Sequence, residues 1–139
     1  MTPEEEEKAA IAQTMREDIA QLVSVESVSF LDRSPIIGAI NPLAAPMHVE
    51  TITSDDGSAV VVGTVTFTKQ YEGAPACVHG GFIAAYFDEV LGVAQSTSGN
   101  PGMTVNLSIN YRSPTPINKP LVFKGWVTSV EGRKIFTSG

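Results

Sequence analysis

Between Val78 and Ser96 the apolar residues recur at helical spacing. At about 100° per residue, Ile83, Tyr86, Phe87, Val90, Leu91, Val93 and Ala94 fall on one broad side. This pattern predicts a helix over about 78–96 with that side turned to a core. Gly81, Ala84, Ala85, Asp88 and Gly92 fall together on the opposite side. A solvated face normally carries Lys, Glu, Gln or Arg. Here Asp88 stands alone among residues with almost no side chain, so a second subunit or a substrate is expected to approach the backbone closely. Gly80 and Gly81 open the helix, although glycine costs a helix interior about 1 kcal/mol relative to alanine. In exchange they leave bare N–H groups at a helix N-terminus, ready for a ligand. The plainer reading of Asp88 is an ordinary surface aspartate. The small-residue stripe and the Gly-Gly start weigh against it.

Elsewhere the pattern changes period. Thr2-Pro3-Glu4 is a helix start, and Ile11, Met15, Ile19, Leu22 and Val23 then repeat at helical spacing. An accessory helix from about Pro3 to Val23, within residues 1–24, is expected. Pro35, Pro42 and Pro46 mark residues 25–48 as an ordered loop of the kind that wraps a core or covers a site. His48–Thr53 and Ala59–Lys69 read as strands joined by an Asp55-Asp56-Gly57 turn. Met103–Arg112 alternates strictly, with Met103, Val105, Leu107, Ile109 and Tyr111 on one face and Thr104, Asn106, Ser108, Asn110 and Arg112 on the other. Leu121–Val130 and Arg133–Ser138 read as two further strands around a Glu131-Gly132 turn. One long helix against five strands predicts an α+β domain over 25–139, an antiparallel sheet wrapped around a central helix. The last strand stops at Gly139 with its edge unpaired. Either a longer chain or a second subunit is expected to cover it.

Composition narrows the function classes. With 139 residues the chain fits one domain. Cys77 is the single cysteine, so no internal disulfide forms, and it reads as a buried bystander. Two histidines and one cysteine cannot make a zinc site of the usual spacing. No apolar run approaches the ~20 residues of a membrane span. Glu4 to Glu7 give an acidic N-terminus, the reverse of a signal or transit peptide, so a cytoplasmic protein is expected. The net charge is −6, but five of the nine basic residues lie after residue 102: Arg112, Lys119, Lys124, Arg133 and Lys134. That is too few for a nucleic-acid surface and enough for the phosphates of a small ligand. Taken singly, each is more simply a solvated strand residue.

The ordered motifs resemble those of hotdog-fold acyl-CoA thioesterases, in particular the branch typified by the phenylacetate-pathway enzymes. The resemblance rests on Tyr71-Glu72-Gly73, Val78-His79-Gly80-Gly81, Phe87-Asp88-Glu89, Gly102-Met103-Thr104, Asn110-Tyr111-Arg112-Ser113-Pro114 and Val130-Glu131-Gly132-Arg133-Lys134. It spans residues from about 35 to 139. His-Gly-Gly alone is a weak signal. With Asp88 seven residues after the second glycine, and the later segments in order, it is strong.

The resemblance implies a cofactor-independent thioester hydrolase acting on acyl-CoA, built as a homodimer or a tetramer of two dimers. It implies that backbone N–H groups near Gly80 and Gly81 form the oxyanion hole. Asp88 would be the general base or, less favourably, the nucleophile, and Thr104 would hold the water. His79 would fix the loop or contact the thioester. In the family the site lies at a dimer interface, so Asp88 serves a carbonyl bound by the other subunit's helix. Asn110, Arg112, Arg133, Lys134 and Ser138 match coenzyme A contacts. An acyl pocket is expected between Phe82, Phe87 and the 35–48 loop. Glu89 is the rival base, but it lies about 100° round the helix from Asp88. Two other functions compete: a non-catalytic acyl-CoA-binding hotdog protein, and, ranked lower, a hotdog dehydratase or hydratase using His79. The family usually adds another strand after Arg133–Ser138, and this sequence does not.

Overall fold

The structure, a computed structural model, describes residues 2–7, 9–11, 13, 31 and 33–139. Its elements run β1 (His48–Thr53), β2 (Ala59–Thr66), a short 3-10 turn (Lys69–Tyr71), the central helix (Gly80–Ser96), β3 (Pro120–Glu131) and β4 (Lys134–Ser138). All neighbouring strands are antiparallel in the order β1-β2-β3-β4.

The period-two pattern of β2 and β3 decides which face is covered. Val61, Gly63 and Val65 stand opposite Gly125, Phe123 and Leu121. Val61, Val65 and Phe123 are buried there. The central helix lays Ile83, Tyr86, Val90 and Ala94 on this face. Gly125 makes the close approach possible. A Cβ there would lie 3.1 Å from both Leu91 Cδ2 and Val90 Cγ1. Tyr86, Phe67, Val61 and Val90 are the largest fully buried side chains. Truncating a residue such as Phe67 to alanine costs roughly 3–5 kcal/mol.

The β1–β2 turn is built from its own polar residues. The Ser54 and Ser58 hydroxyls and the Ser58 N–H all bond Asp56, and they hold its carboxyl down at about 2. Gly57 supplies the positive φ of 85° that this turn requires.

At the N-terminus residues 3–7, 9–11 and 13 are helical. Thr2 and Glu5 form a reciprocal capping box: the Glu5 N–H donates to Thr2 Oγ1 at 3.3 Å, and the Thr2 N–H donates to the Glu5 carboxylate at 2.7 Å. The rest of the expected accessory helix, with Met15, Ile19, Leu22 and Val23, lies outside the described residues.

One expected strand is not in the sheet. Among the described residues Met103–Arg112 joins no ladder, and the sheet has four strands rather than five. The alternation survives only in part, since Leu107 and Ile109 are half-buried while Met103 and Val105 are exposed. The physical reason is separation. A cavity of about 980 Å³ lies between residues 102–108 on one side and residues 131–137 on the other. The backbones therefore do not meet, and an extended segment without a partner is not a strand.

Candidate active site

The helix start is fixed by the loop before it. The N–H of His79 donates to the Tyr71 carbonyl at 2.8 Å, and that of Val78 to the Thr115 carbonyl at 2.8 Å. Gly73 is required here, because a Cβ would come within 2.9 Å of the His79 Cα. His79 is the N-cap residue, and its Nδ1 accepts the Gly81 N–H at 2.9 Å. An accepting Nδ1 places the proton of the neutral ring on Nε2. The two glycines thus differ from the bare pair expected from sequence. The Gly81 N–H is already engaged, whereas the Gly80 N–H has no partner among the described residues. Each glycine also makes room for a ring. A Cβ on Gly81 would lie 3.1 Å from His79 Nδ1, and one on Gly80 would lie 3.3 Å from Tyr111 Cε1. The Tyr111 hydroxyl donates to the Gly80 carbonyl at 2.7 Å.

Two helical turns further on, Asp88 meets Thr104. The Thr104 hydroxyl donates to Asp88 Oδ1 at 2.8 Å. Both line a small cavity of about 130 Å³ that also touches Gly92, Gln95 and Thr137. The Thr104 side chain therefore reaches the small-residue stripe of the helix. Glu89 does not line this cavity. Asp88 and the glycines share a face but are not adjacent. Seven residues at 1.5 Å each place them about 10 Å apart along the axis. One chain does not bring Asp88 to its own Gly80 and Gly81.

The five expected coenzyme contacts divide. Asn110 and Arg112 line a cavity of about 290 Å³ with Phe87 and Gly139. Arg133 and Lys134 line the large cavity between residues 102–108 and β4. The two cavities adjoin, since Leu91, Leu107 and Ser108 line both. Ser138 lines neither and pairs with Trp126 in the β3–β4 ladder.

A further cavity, of about 430 Å³, lies at the helix start beneath the 35–44 loop. His79, Gly81, Phe82 and Ala85 line it from the helix side, and Leu43 and Ala44 from the loop. Phe87 takes no part in it, contrary to the expectation from sequence. Its ring packs edge-on against Phe123 at 4.9 Å. Two tyrosines pin the loop. Tyr71 donates to the Leu43 carbonyl at 2.8 Å, and the Tyr86 hydroxyl meets the carbonyls of Ile36 and Ala45. Burial pushes the Tyr86 hydroxyl up to about 12, with Tyr71 nearby adding to the rise. Sequence reading placed Tyr86 on the core face and Tyr111 on the apolar strand face. It carried no signal for what their hydroxyls bond. Among the described residues no group of three or more His, Cys, Asp and Glu side chains could hold a metal ion, and no helix is long and apolar enough to cross a membrane.

The family described as Thioesterase superfamily matches residues 76–139. A crystal structure of a thioesterase superfamily protein is 36% identical with a TM-score of 0.69, covering 98% of this chain and 73% of that one. Acyl-coenzyme A thioesterase THEM4 of Xenopus laevis is 37% identical over 67 residues, 48% of this chain and 30% of the relative. The Bos taurus protein of the same name is 39% identical over 67 residues, 48% of this chain and 27% of the relative. The matched stretch thus takes in less than a third of each of these longer relatives.

Proposed function

The chain belongs to the thioesterase superfamily, and we propose that it hydrolyses an acyl-CoA thioester to a carboxylic acid and free coenzyme A. The hydrogen bond from Thr104 to Asp88 carries the reading. It fixes one carboxylate oxygen and leaves the other able to accept a proton from water. The Thr104 oxygen keeps lone pairs that can hold the same water. Water attacks the thioester carbonyl carbon while Asp88 takes its proton. The carbonyl oxygen becomes an oxyanion, bound by N–H groups at the start of the helix. Collapse breaks the C–S bond, and the proton on Asp88 returns to the departing thiolate.

Two features of the geometry shape this proposal. Asp88 stands about 10 Å along the axis from the glycines, so the base and the oxyanion hole come from two copies of the chain, as in a homodimer or a pair of dimers. The Gly81 N–H is held by His79 Nδ1, so the imidazole yields to the substrate carbonyl on binding. Arg112, Arg133, Lys134 and Asn110 face the phosphates and amides of coenzyme A, with Ser138 at the edge.

The capped Gly81 N–H also supports a second reading, an acyl-CoA-binding protein without chemistry. Replacing the acid separates the two. Asp88→Asn and Asp88→Ala are expected to abolish free-thiol release, at least about a hundredfold, while acyl-CoA still binds. Unchanged turnover in either variant overturns Asp88 as base. No turnover in the parent over aliphatic and aromatic acyl-CoAs supports the binder.

A further inference from the structure

We propose that Tyr111 is a positioning residue of the oxyanion hole: it holds the peptide between Gly80 and Gly81 so that its N–H stays aimed at the thioester carbonyl. The inference rests on the thioesterase reading of the helix start. The Tyr111 hydroxyl donates to the Gly80 carbonyl at 2.7 Å. The Gly81 N–H donates to His79 Nδ1 at 2.9 Å. That carbonyl and that N–H are opposite ends of one planar amide. A single amide is thus held at its oxygen by Tyr111 and at its nitrogen by His79.

The two holds differ in what substrate does to them. The substrate carbonyl and the imidazole compete for the same N–H, so binding displaces His79. Tyr111 grips the oxygen end, which the substrate does not need, so its hold persists through the reaction. The amide needs such a hold, because glycine on both sides leaves no Cβ to resist its rotation. In the helix the Ala84 N–H engages one lone pair of the Gly80 oxygen, and the Tyr111 hydroxyl takes the other. This second donor also draws charge toward the oxygen and makes the N–H at the far end a stronger donor. The fit depends on glycine at 80. A Cβ there would lie 3.3 Å from Tyr111 Cε1 and 3.5 Å from Cζ, and would press the ring off the carbonyl. Asn110 and Arg112, on either side in the chain, line the cavity next to Phe87, whereas Tyr111 does not. Its partner is the helix start.

Tyr111→Phe keeps the ring and removes the donor. On the full chain, with the acyl-CoA that the parent hydrolyses fastest, kcat is expected to fall about tenfold. KM is expected to stay within about twofold, because the oxyanion exists only in the transition state. An unchanged kcat overturns the inference. So does a rise in KM that accounts for the whole loss in kcat/KM, which would give Tyr111 to the coenzyme segment instead. Both results leave the thioesterase reading intact. A second readout needs no turnover: the Gly81 amide proton resonance in 15N-labelled protein. It is expected to move upfield in Tyr111→Phe as that N–H becomes a weaker donor, while the Gly92 amide on the same helix stays. If the parent hydrolyses no acyl-CoA, the thioesterase reading falls, and this resonance alone decides. A shift at Gly81 without one at Gly92 supports the hold on the amide. An unmoved Gly81 resonance overturns it, whatever the turnover.

Discussion

Thr104 and Asp88, 16 residues apart, are joined by a 2.8 Å hydrogen bond from hydroxyl to carboxylate. The bond ties an extended segment that has no ladder of its own to the small-residue face of the central helix. It aims one carboxylate oxygen and leaves the other without a partner among the described residues. Thr104→Val keeps the shape and removes the donor. Turnover is expected to fall by about ten- to a hundredfold, and Thr104→Ser to recover most of it. Full turnover in Thr104→Val with loss in Thr104→Ser would mean that the methyl, not the hydroxyl, matters at this position.

His79 caps the helix through Nδ1. His79→Ala is expected to lower stability by about 1 kcal/mol through loss of the cap, and His79→Asn to restore most of it. Thermal unfolding of the three proteins checks this. An alanine variant as stable as the parent would remove the capping role.

Tyr86 anchors the loop through its hydroxyl. Tyr86→Phe is expected to cost roughly 1–2 kcal/mol, because the loop carbonyls of Ile36 and Ala45 lose the one O–H they share. The effect has a pH signature. The hydroxyl ionises at its ordinary value of 10.0 in the unfolded chain and near 12 in the folded one. Between these values the unfolded chain binds fewer protons, so stability falls as pH rises. The contribution is complete below pH 10 and lost on passing 12. Denaturation midpoints should therefore fall more steeply across this window in the parent than in Tyr86→Phe. Parallel curves would refute the assignment.

Gly73 stands against the backbone of the N-cap residue, where an added Cβ would lie 2.9 Å from the His79 Cα. Backbone cannot swing aside as a side chain can. Gly73→Ala is expected to lose on the order of 1–3 kcal/mol and to weaken turnover by displacing the helix start. At Gly57 a Cβ would meet no atom within 4 Å, so Gly57→Ala suffers from its positive φ alone. Loss of activity should separate the two variants where loss of stability does not.

The central helix, its buried face and its glycine start are legible in the pattern of residues along the chain. So are the four strands that pair, because period-3.6 and period-two patterns are local records of which side of an element is covered. Through resemblance the sequence singled out Asp88 as a base and Thr104 as a holder of water, but it left open whether they meet; a hydrogen bond joins them. The sequence misjudged Met103–Arg112, since alternation reports a face and not the presence of a neighbouring backbone to bond. The difference between Gly80 and Gly81 comes from folding, because a ring two residues back caps one N–H and leaves the other. The placing of Phe87 against Phe123 and in the wall of the Asn110–Arg112 cavity, and not in the cavity at the helix start, also comes from folding, since two positions on one helical side can meet different neighbours. The tyrosine anchors were beyond sequence for the same reason. A hydroxyl partner 28 or 41 residues away leaves no periodic trace, because long-range contacts are set by how elements fold back on one another and not by local spacing.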